Sequence, residues 1–192
     1  MADKSAKTKI SIMKNIKVVL ILFLAIVALC FRIDDPGTTT IYILRHAEKD
    51  ISDPKNQDPE LSIDGRERAE ALAVKLKGIK LDAAFATKYK RTRQTASYSA
   101  NNNKLEVQTY DAQDFRGISE LVKTRYNGRK VLIVGHSNTV LELLEAFGAK
   151  RPLFSLADDD YDLFFELTIN SKGKVDLKTM RYGKSHHSST IK

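Results

Sequence analysis

The sequence predicts an α/β domain of three layers, α/β/α, with a mainly parallel central sheet. Short apolar segments of strand length alternate with amphipathic helical patterns along most of the chain, as expected of successive βα units. One segment, Lys130–Gly135, is apolar after its first residue, which is typical of a strand covered by helices on both faces. The composition agrees with a folded domain, since 42% of the 192 residues are hydrophobic and 29% are charged.

The predicted elements follow one another in a regular order. Strands are expected at Ile41–Leu44, Ala83–Ala86, Leu105–Thr109, Lys130–Gly135, Asp162–Thr168 and Val175–Arg181. Helical spacing of apolar residues marks four helices, around Ala69–Leu76, Arg91–Ala100, Phe115–Val122 and Val140–Phe147. Ser62 opens the first helix, the third ends near Asn127-Gly128, and Gly148 ends the fourth. The last two strands flank a turn at Asn170–Gly173 and are expected to form a hairpin.

The first 31 residues differ from the rest of the chain. A lysine-rich stretch precedes Val18–Phe31, which contains no charged residue. This run is shorter than the roughly 20 apolar residues of a membrane span, but it is typical of an export signal behind a basic terminus. We therefore separate residues 1–31, a signal peptide or membrane anchor, from a domain at residues 32–182 and a polar, frayed tail at residues 183–192.

The sequence leaves the fate of this leader open. Ala28-Leu29-Cys30 fits a cleavage site, while Cys30 is alternatively a lipid-bearing cysteine, although Leu29 stands where a small residue is expected. A retained leader would associate with the membrane through residues 16–31, and a buried helix of the fold is the remaining alternative. With the basic flank in the cytoplasm, the domain is expected in the periplasm or outside the cell. The oligomeric state is not indicated.

Charge and cysteine content restrict the partners. The net charge is +8, part of it from the leader lysines. A modest positive charge suits small phosphorylated substrates, and the absence of interleaved basic and aromatic residues argues against nucleic acid. The single cysteine, Cys30, excludes an internal disulfide and a cysteine-based zinc site. No ligand set for a metal is evident, and we expect no cofactor.

Two predicted strands end in turns that carry a histidine. His46 follows Arg45 after the first strand, and His136 precedes Ser137 after the fourth. Ligands bind beyond the carboxyl ends of strands in open α/β sheets. One such histidine is ordinarily structural, but a pair at the same edge indicates a site. His136 also precedes a helix start, which favours anions, although Ser137 or Asn138 there is equally an N-cap.

A third segment at the same edge is rich in cations. Lys88, Lys90, Arg91 and Arg93 stand at the start of the second helix. Cations there are unfavourable by about 0.3–1 kcal/mol each. Their presence indicates that they bind an anion, the alternative being a solvated helix start.

Four motifs in this order carry a family resemblance: LRHAEK, DPELSIDGRERAEALA, KRTRQTA and VLIVGHSNT. From about Ile41 to about Leu167 the chain resembles the histidine phosphatase superfamily, relatives of the cofactor-dependent phosphoglycerate mutases. The resemblance implies that His46 attacks the phosphoryl group and that Arg45, Arg91 and His136 complete the phosphate pocket. Ser137, next to His136, is a further candidate for binding phosphate. Arg91, rather than Arg93, matches the family arginine because it stands four residues before Thr95-Ala96.

Two positions depart from the family pattern. The family glycine after the nucleophile is Ala47, whose methyl group forbids only the most glycine-specific backbone angles. The resemblance places a general acid after the third strand, where Asp111 is the candidate. Asp111 is equally an N-cap for the helix through Phe115, with Asp114 in its first turn. Glu48 is a weaker candidate, and some family phosphatases lack a dedicated acid.

The expected function is metal-independent hydrolysis of phosphomonoesters, of the histidine acid phosphatase type, through a phosphohistidine on His46. A phosphoglycerate mutase-like phosphotransferase, a non-catalytic phosphate-binding or phosphoprotein-binding module, and a phosphatase for protein phosphohistidine are the alternatives. The loops Asp50–Pro59 and Ser155–Tyr161 are expected to set specificity. Their acids at Asp158–Asp160 either repel highly phosphorylated ligands or are solvated charges.

Overall fold

A computed structural model describes residues 37–188. The predicted leader, residues 1–31, lies outside the described residues. Within residues 37–188, no helix is both long and apolar enough to span a membrane.

In the part of the chain that the structure describes, six strands form one mixed sheet. The strands are β1 (Thr39–Arg45), β2 (Ala83–Ala86), β3 (Val107–Thr109), β4 (Lys130–Gly135), β5 (Leu163–Ile169) and β6 (Val175–Arg181). Their spatial order is β3-β2-β4-β1-β5-β6. The first four strands in this order are parallel, and β5 and β6 add an antiparallel edge. The mainly parallel sheet and the terminal hairpin are therefore confirmed.

Within residues 37–188, four helices connect or follow the parallel strands. They are α1 (Ile63–Lys75), α2 (Lys90–Asn102), α3 (Phe115–Arg125) and α4 (Val140–Ala146). Ser62 caps α1 by accepting the Gly65 N–H, as the sequence predicts. Asp114 caps α3 by accepting the Gly117 N–H, so the prediction of Asp111 as this cap is wrong.

The alternation of side chains along β1 divides the core into two apolar layers. Ile41 and Ile43 face one layer, with residues of α3 and α4, whereas Tyr42 and Leu44 face the other, with residues of α1 and α2. Helices thus cover both faces of the sheet, and the three-layer α/β/α prediction is confirmed.

Three local predictions are wrong. The third strand begins at Val107 because the Leu105 N–H instead bonds Ala100 O at the end of α2. The N-cap of α4 is Thr139, not Ser137 or Asn138, because the chain makes a turn through both residues before the helix starts. The described part of the tail is not frayed, since His186 donates its backbone N–H to buried Asp162.

Candidate active site

The two histidines meet because the strands before them are neighbours. Arg45 of β1 pairs in register with Gly135 of β4, so His46 and His136 leave the sheet side by side. The His46 N–H donates to Gly135 O at 2.9 Å, and the ring centroids are 5.3 Å apart. Both residues are at least nine-tenths buried. The sheet topology therefore joins two motifs that lie far apart in the chain.

The hydrogen bonds of His46 define its tautomer. Nδ1 lies 2.7 Å from Ala47 O, and a carbonyl oxygen only accepts, so Nδ1 carries the proton. Arg91 Nε donates to Nε2 at 3.2 Å, which requires a lone pair on Nε2. The imidazole is thus neutral, with its free lone pair on Nε2 directed toward an arginine.

Burial and charge keep His46 neutral. Burial lowers the pKa of His46 well below 6.5, and the nearby cations Arg45 and Arg91 lower it further. The hydrogen bond to Ala47 O acts in the opposite direction but is outweighed. The neutral form required of a nucleophilic imidazole is therefore the resting form.

His136 is held by a chain of two threonines. Thr92 donates its hydroxyl proton to Tyr89 O at 2.7 Å, so it can only accept from Thr87. Thr87, having donated to Thr92, accepts from His136 Nε2 at 2.9 Å. The neutral His136 ring therefore carries its proton on Nε2. Burial, followed by the charges of Arg91 and Arg45, lowers the pKa of His136 to about 4.

Arg45 lies beneath the site with one donor unused. Its Nη1 donates to Ala157 O and Asp158 O, and its guanidinium lies over the Tyr161 ring, 4.0 Å from the centroid. Its Nε is buried and bonds to no group among residues 37–188. An unpaired, buried, charged donor is costly unless it binds an acceptor, so this Nε is suited to an acceptor oxygen of a ligand.

Arg91, one of the cations at the start of α2, lies next to the two histidines. It contacts His46 through Nε, and its guanidinium lies 4.5 Å from the centroid of the Tyr89 ring. Asp58 compensates part of the positive charge at the start of α2, since its Oδ1 lies 3.9 Å from Arg91 Nη1 and accepts the Lys90 N–H. Arg93 is exposed and bonds Thr109. The structure thus brings Arg91, not Arg93, to the histidines.

Ala47 is accommodated without strain. Its side chain is fully buried with Leu61 and Ala69, and its N–H donates to Thr95 Oγ1 at 2.9 Å. Lys104 is the sole non-glycine residue with positive φ among residues 37–188. Ala47 therefore has ordinary backbone angles, and no glycine is required there.

The predicted acids lie outside this cluster. Both oxygens of Glu48 accept from the buried Arg68 guanidinium, at 2.7 to 2.8 Å, which leaves Glu48 a structural role. Asp111 is exposed and accepts the Gln113 N–H. It lines a cleft of about 500 Å³ together with Thr87 and Tyr89, the residues that contact His136. Asp111 is therefore beside the site rather than in it.

The other predicted residues are resolved individually. Ser137 is half-buried in the turn that follows His136. The acids at 158–160 differ from one another: Asp158 is exposed, whereas Asp160 is fully buried and accepts the Ala157 N–H. The expectation of three solvated charges is therefore wrong, because Asp160 closes the turn that presents two carbonyls to Arg45.

Four contacts were not predicted from the sequence, those of Thr87, Tyr89, Tyr161 and Asp58. The contact of Thr87 with His136 could have been predicted, because Thr87 directly follows β2 just as His46 directly follows β1. Tyr161 lies far along the chain from Arg45, and no local pattern indicates that pairing.

The assembled groups can bind an anion next to a nucleophile, His46 Nε2. Two guanidinium groups and two imidazoles surround one lone pair, and arginine forks match the geometry of phosphate oxygens. Such an arrangement can accept a phosphoryl group on His46 Nε2 and neutralise its equatorial oxygens.

Comparison with known proteins agrees with this geometry. The family model of the histidine phosphatase superfamily, branch 1, matches residues 41–114, which include Arg45, His46 and Arg91. Over this segment the chain is similar to the histidine phosphatase superfamily. His136 lies beyond the matched segment, but the register of β4 against β1 places it at the same site.

Solved structures share the fold of this domain. The protein histidine phosphatase SixA, complexed with tungstate, has a TM-score of 0.61 at 17% identity, over 74% of this chain and 96% of its own. A phosphoglycerate mutase from Bacillus anthracis has a TM-score of 0.56 at 16% identity, over 76% and 94%. A Nakamurella multipartitia protein assigned as a phosphohistidine phosphatase SixA has 0.57 at 20% identity, over 78% and 99%. No curated protein sequence matches the chain.

Proposed function

We propose that the domain hydrolyses phosphomonoesters through a phosphohistidine formed on His46. The observation that carries the proposal is the state of this side chain: Ala47 O holds the Nδ1 proton, and the Nε2 lone pair is directed to Arg91. A neutral imidazole with a fixed tautomer is the form that attacks phosphorus.

The first half-reaction follows from the contacts in the free protein. An entering phosphoryl group supplies oxygen acceptors for Arg91 Nε and for the unpaired Arg45 Nε. Arg91 then releases the Nε2 lone pair, which forms the N–P bond while the bond from phosphorus to the leaving oxygen breaks. The leaving oxygen takes a proton from an acid or from water. Water then cleaves the N–P bond, returns neutral His46 and releases inorganic phosphate.

His136 responds to the charge of the substrate. Its ring is neutral in the free protein because burial and two arginines lower its pKa to about 4. A phosphate dianion opposes that effect and favours protonation of Nδ1, while Nε2 stays bonded to Thr87. His136 thus supplies positive charge when the anion is present.

A protein phosphohistidine is the second candidate substrate. Asp111, the first candidate for the general acid, is exposed and accepts the Gln113 N–H of its own loop. A reaction with a good leaving group needs no dedicated acid. This arrangement favours substrates such as phosphohistidine or aryl phosphates over alkyl phosphates.

A substrate panel tests the activity. The protein is assayed with aryl phosphates, alkyl phosphates and a phosphohistidine peptide, in wild type, Arg91→Gln and the matched control Arg93→Gln. Arg91→Gln is expected to lower kcat/KM by about 10²–10³-fold, whereas the exposed Arg93 is expected to be dispensable. Equal losses in the two variants, or no release of phosphate from any class of substrate, would reject the proposal.

We further propose that residues 1–31 export the domain or anchor it to a membrane. The basic terminus and the apolar run Val18–Phe31 support this proposal. Cell fractionation with N-terminal sequencing of the mature protein tests it. Recovery of the intact chain in the cytoplasmic fraction would contradict it.

A further inference from the structure

The loop that binds Arg45 is itself bound by residues 186–188. This loop, Ala157–Asp162, supplies the two carbonyls that bind Arg45 Nη1 and the Tyr161 ring beneath its guanidinium. These contacts orient the guanidinium so that its Nη1 is occupied and its Nε is left unpaired.

Residues 186–188, which we name the C-terminal clasp, contact this loop at several points. The Tyr161 N–H donates to His186 O at 3.1 Å, and His186 Nδ1 lies 2.8 Å from Asp159 O, so Nδ1 is the donor. The rings of Tyr161 and His186 meet edge to face, with centroids 5.3 Å apart. Ser188 Oγ donates to Asp159 Oδ1 at 2.7 Å. The clasp thus fixes both the backbone of the loop and the ring under Arg45.

The clasp also binds a buried carboxylate at the end of the loop, that of Asp162. His187 Nδ1 lies 2.6 Å from Asp162 Oδ2, and the other oxygen of this buried carboxylate binds Arg181. Just before the clasp, Lys184 O accepts from Arg68, whose guanidinium also binds Glu48, two residues after His46. The C-terminal segment therefore spans from the loop under Arg45 to the ion pair behind His46.

We propose that the C-terminal clasp, residues 186–188, positions Arg45 for phosphate by fixing the loop Ala157–Asp162, an inference that rests on the proposed phosphate site. His186 is the central positioning residue, because its side chain touches both Asp159 O and the Tyr161 ring. A clasp that merely anchored the chain end would affect stability without affecting the action of Arg45.

Affinity for inorganic phosphate, measured by titration calorimetry on the full chain, tests the positioning role. His186→Ala is expected to raise the phosphate Kd about three- to ten-fold, as the loss of a hydrogen bond and a ring contact implies. His186→Asn, whose amide can replace the Nδ1 donor, is expected to restore part of the affinity. The side chain of Lys184 is exposed, so Lys184→Ala is the control and is expected to keep the wild-type Kd.

A double-mutant cycle separates positioning from general stability. If the clasp acts through Arg45, His186→Ala has no further effect on the phosphate Kd in an Arg45→Gln background. Equal fold-changes in both backgrounds would overturn the inference, as would a wild-type Kd in His186→Ala. If His186→Ala lowers Tm severely, Ser188→Ala is the milder variant, because it removes one exposed hydrogen bond. Ser188→Ala should raise the phosphate Kd about two-fold when Arg45 is present and should leave it unchanged in Arg45→Gln. Failure of the wild type to bind phosphate would overturn both this inference and the proposed function.

Discussion

The protonation of His46 and His136 is determined by a few contacts at the carboxyl ends of β1 and β4. Both imidazoles are buried next to Arg45 and Arg91, and burial and positive charge favour the neutral form. The pKa of His136 is lowered to about 4, and that of His46 is also well below 6.5. His136 is therefore expected to stay largely neutral as the pH falls from 7 to 5, and burial favours the neutral form of His46 in the same direction.

Replacement of Arg91 by Gln is expected to raise the pKa of both histidines, because one of the cations that disfavour their charged forms is removed. NMR titration of the imidazole resonances measures this directly. Arg93→Gln is the matched control, since Arg93 is exposed and bonds Thr109. An unchanged His136 midpoint in Arg91→Gln, or a wild-type midpoint near 6.5, would show that the electrostatic account is wrong.

The same shifts predict how stability depends on pH. An unfolded histidine takes up a proton near pH 6.5, whereas the buried pair resists it. Below pH 6.5 the unfolded state therefore binds more protons, and the free energy of unfolding falls as the pH decreases. Urea denaturation at pH 7 and pH 5 should show that fall, and His136→Asn should reduce it.

Two substrates with different leaving groups test whether Asp111 is the general acid. If Asp111 protonates the leaving oxygen, Asp111→Asn lowers kcat for alkyl phosphates by roughly 10²–10⁴-fold and barely affects nitrophenyl phosphate. The exposed position of Asp111 and its bond to the Gln113 N–H favour the opposite result, small and equal effects on both substrates. Kinetics on the two substrates measure the difference. Asp114→Asn is the control for the loop, because Asp114 caps α3.

At the scale of the elements, α1 packs unusually close to the segment that follows His46. A Cβ placed on Gly65 would lie 2.1 Å from Glu48 O, which is a backbone atom and cannot rotate away. The same carbonyl accepts the Ser62 N–H just before the helix. The start of α1 thus packs against the backbone two residues after His46.

Gly65→Ala is expected to lower the free energy of unfolding by about 1–3 kcal/mol, since the added methyl group must displace backbone. Urea denaturation measures the loss. Glu70→Ala, on the exposed face of the same helix, should stay within about 0.5 kcal/mol of wild type. A wild-type stability for Gly65→Ala would mean that this contact is looser than described.

The sequence was sufficient to predict most elements because their signals are local. A continuous apolar run located β4, helical spacing located α4, and the turn at Asn170–Gly173 located the hairpin. Element ends were less predictable because they depend on tertiary hydrogen bonds. Leu105, for example, reads as the start of a strand, but its N–H closes the end of α2.

At the scale of the molecule, the order of the strands in the sheet determines which contacts of the site can be predicted from the sequence. Parallel strands bring their carboxyl ends to one edge, so the meeting of His46 with His136 follows from the pattern of βα units. The contact of Arg45 with Tyr161 does not, because it depends on where the antiparallel β5 returns beside β1. The clasp at 186–188 lies farther still from any local signal.

The central claim is that the Nε2 lone pair of His46 accepts the phosphoryl group. Rapid acid-free quench of the wild type with a labelled aryl phosphate, followed by phosphorus NMR and peptide mapping, tests it most directly. We predict a base-stable, acid-labile phosphohistidine at residue 46, phosphorylated on Nε2 because Ala47 O holds the Nδ1 proton. His46→Ala should form none and should fold normally. A phosphoenzyme on Nδ1 or on another residue, or turnover by His46→Ala near the wild-type rate, would contradict the account.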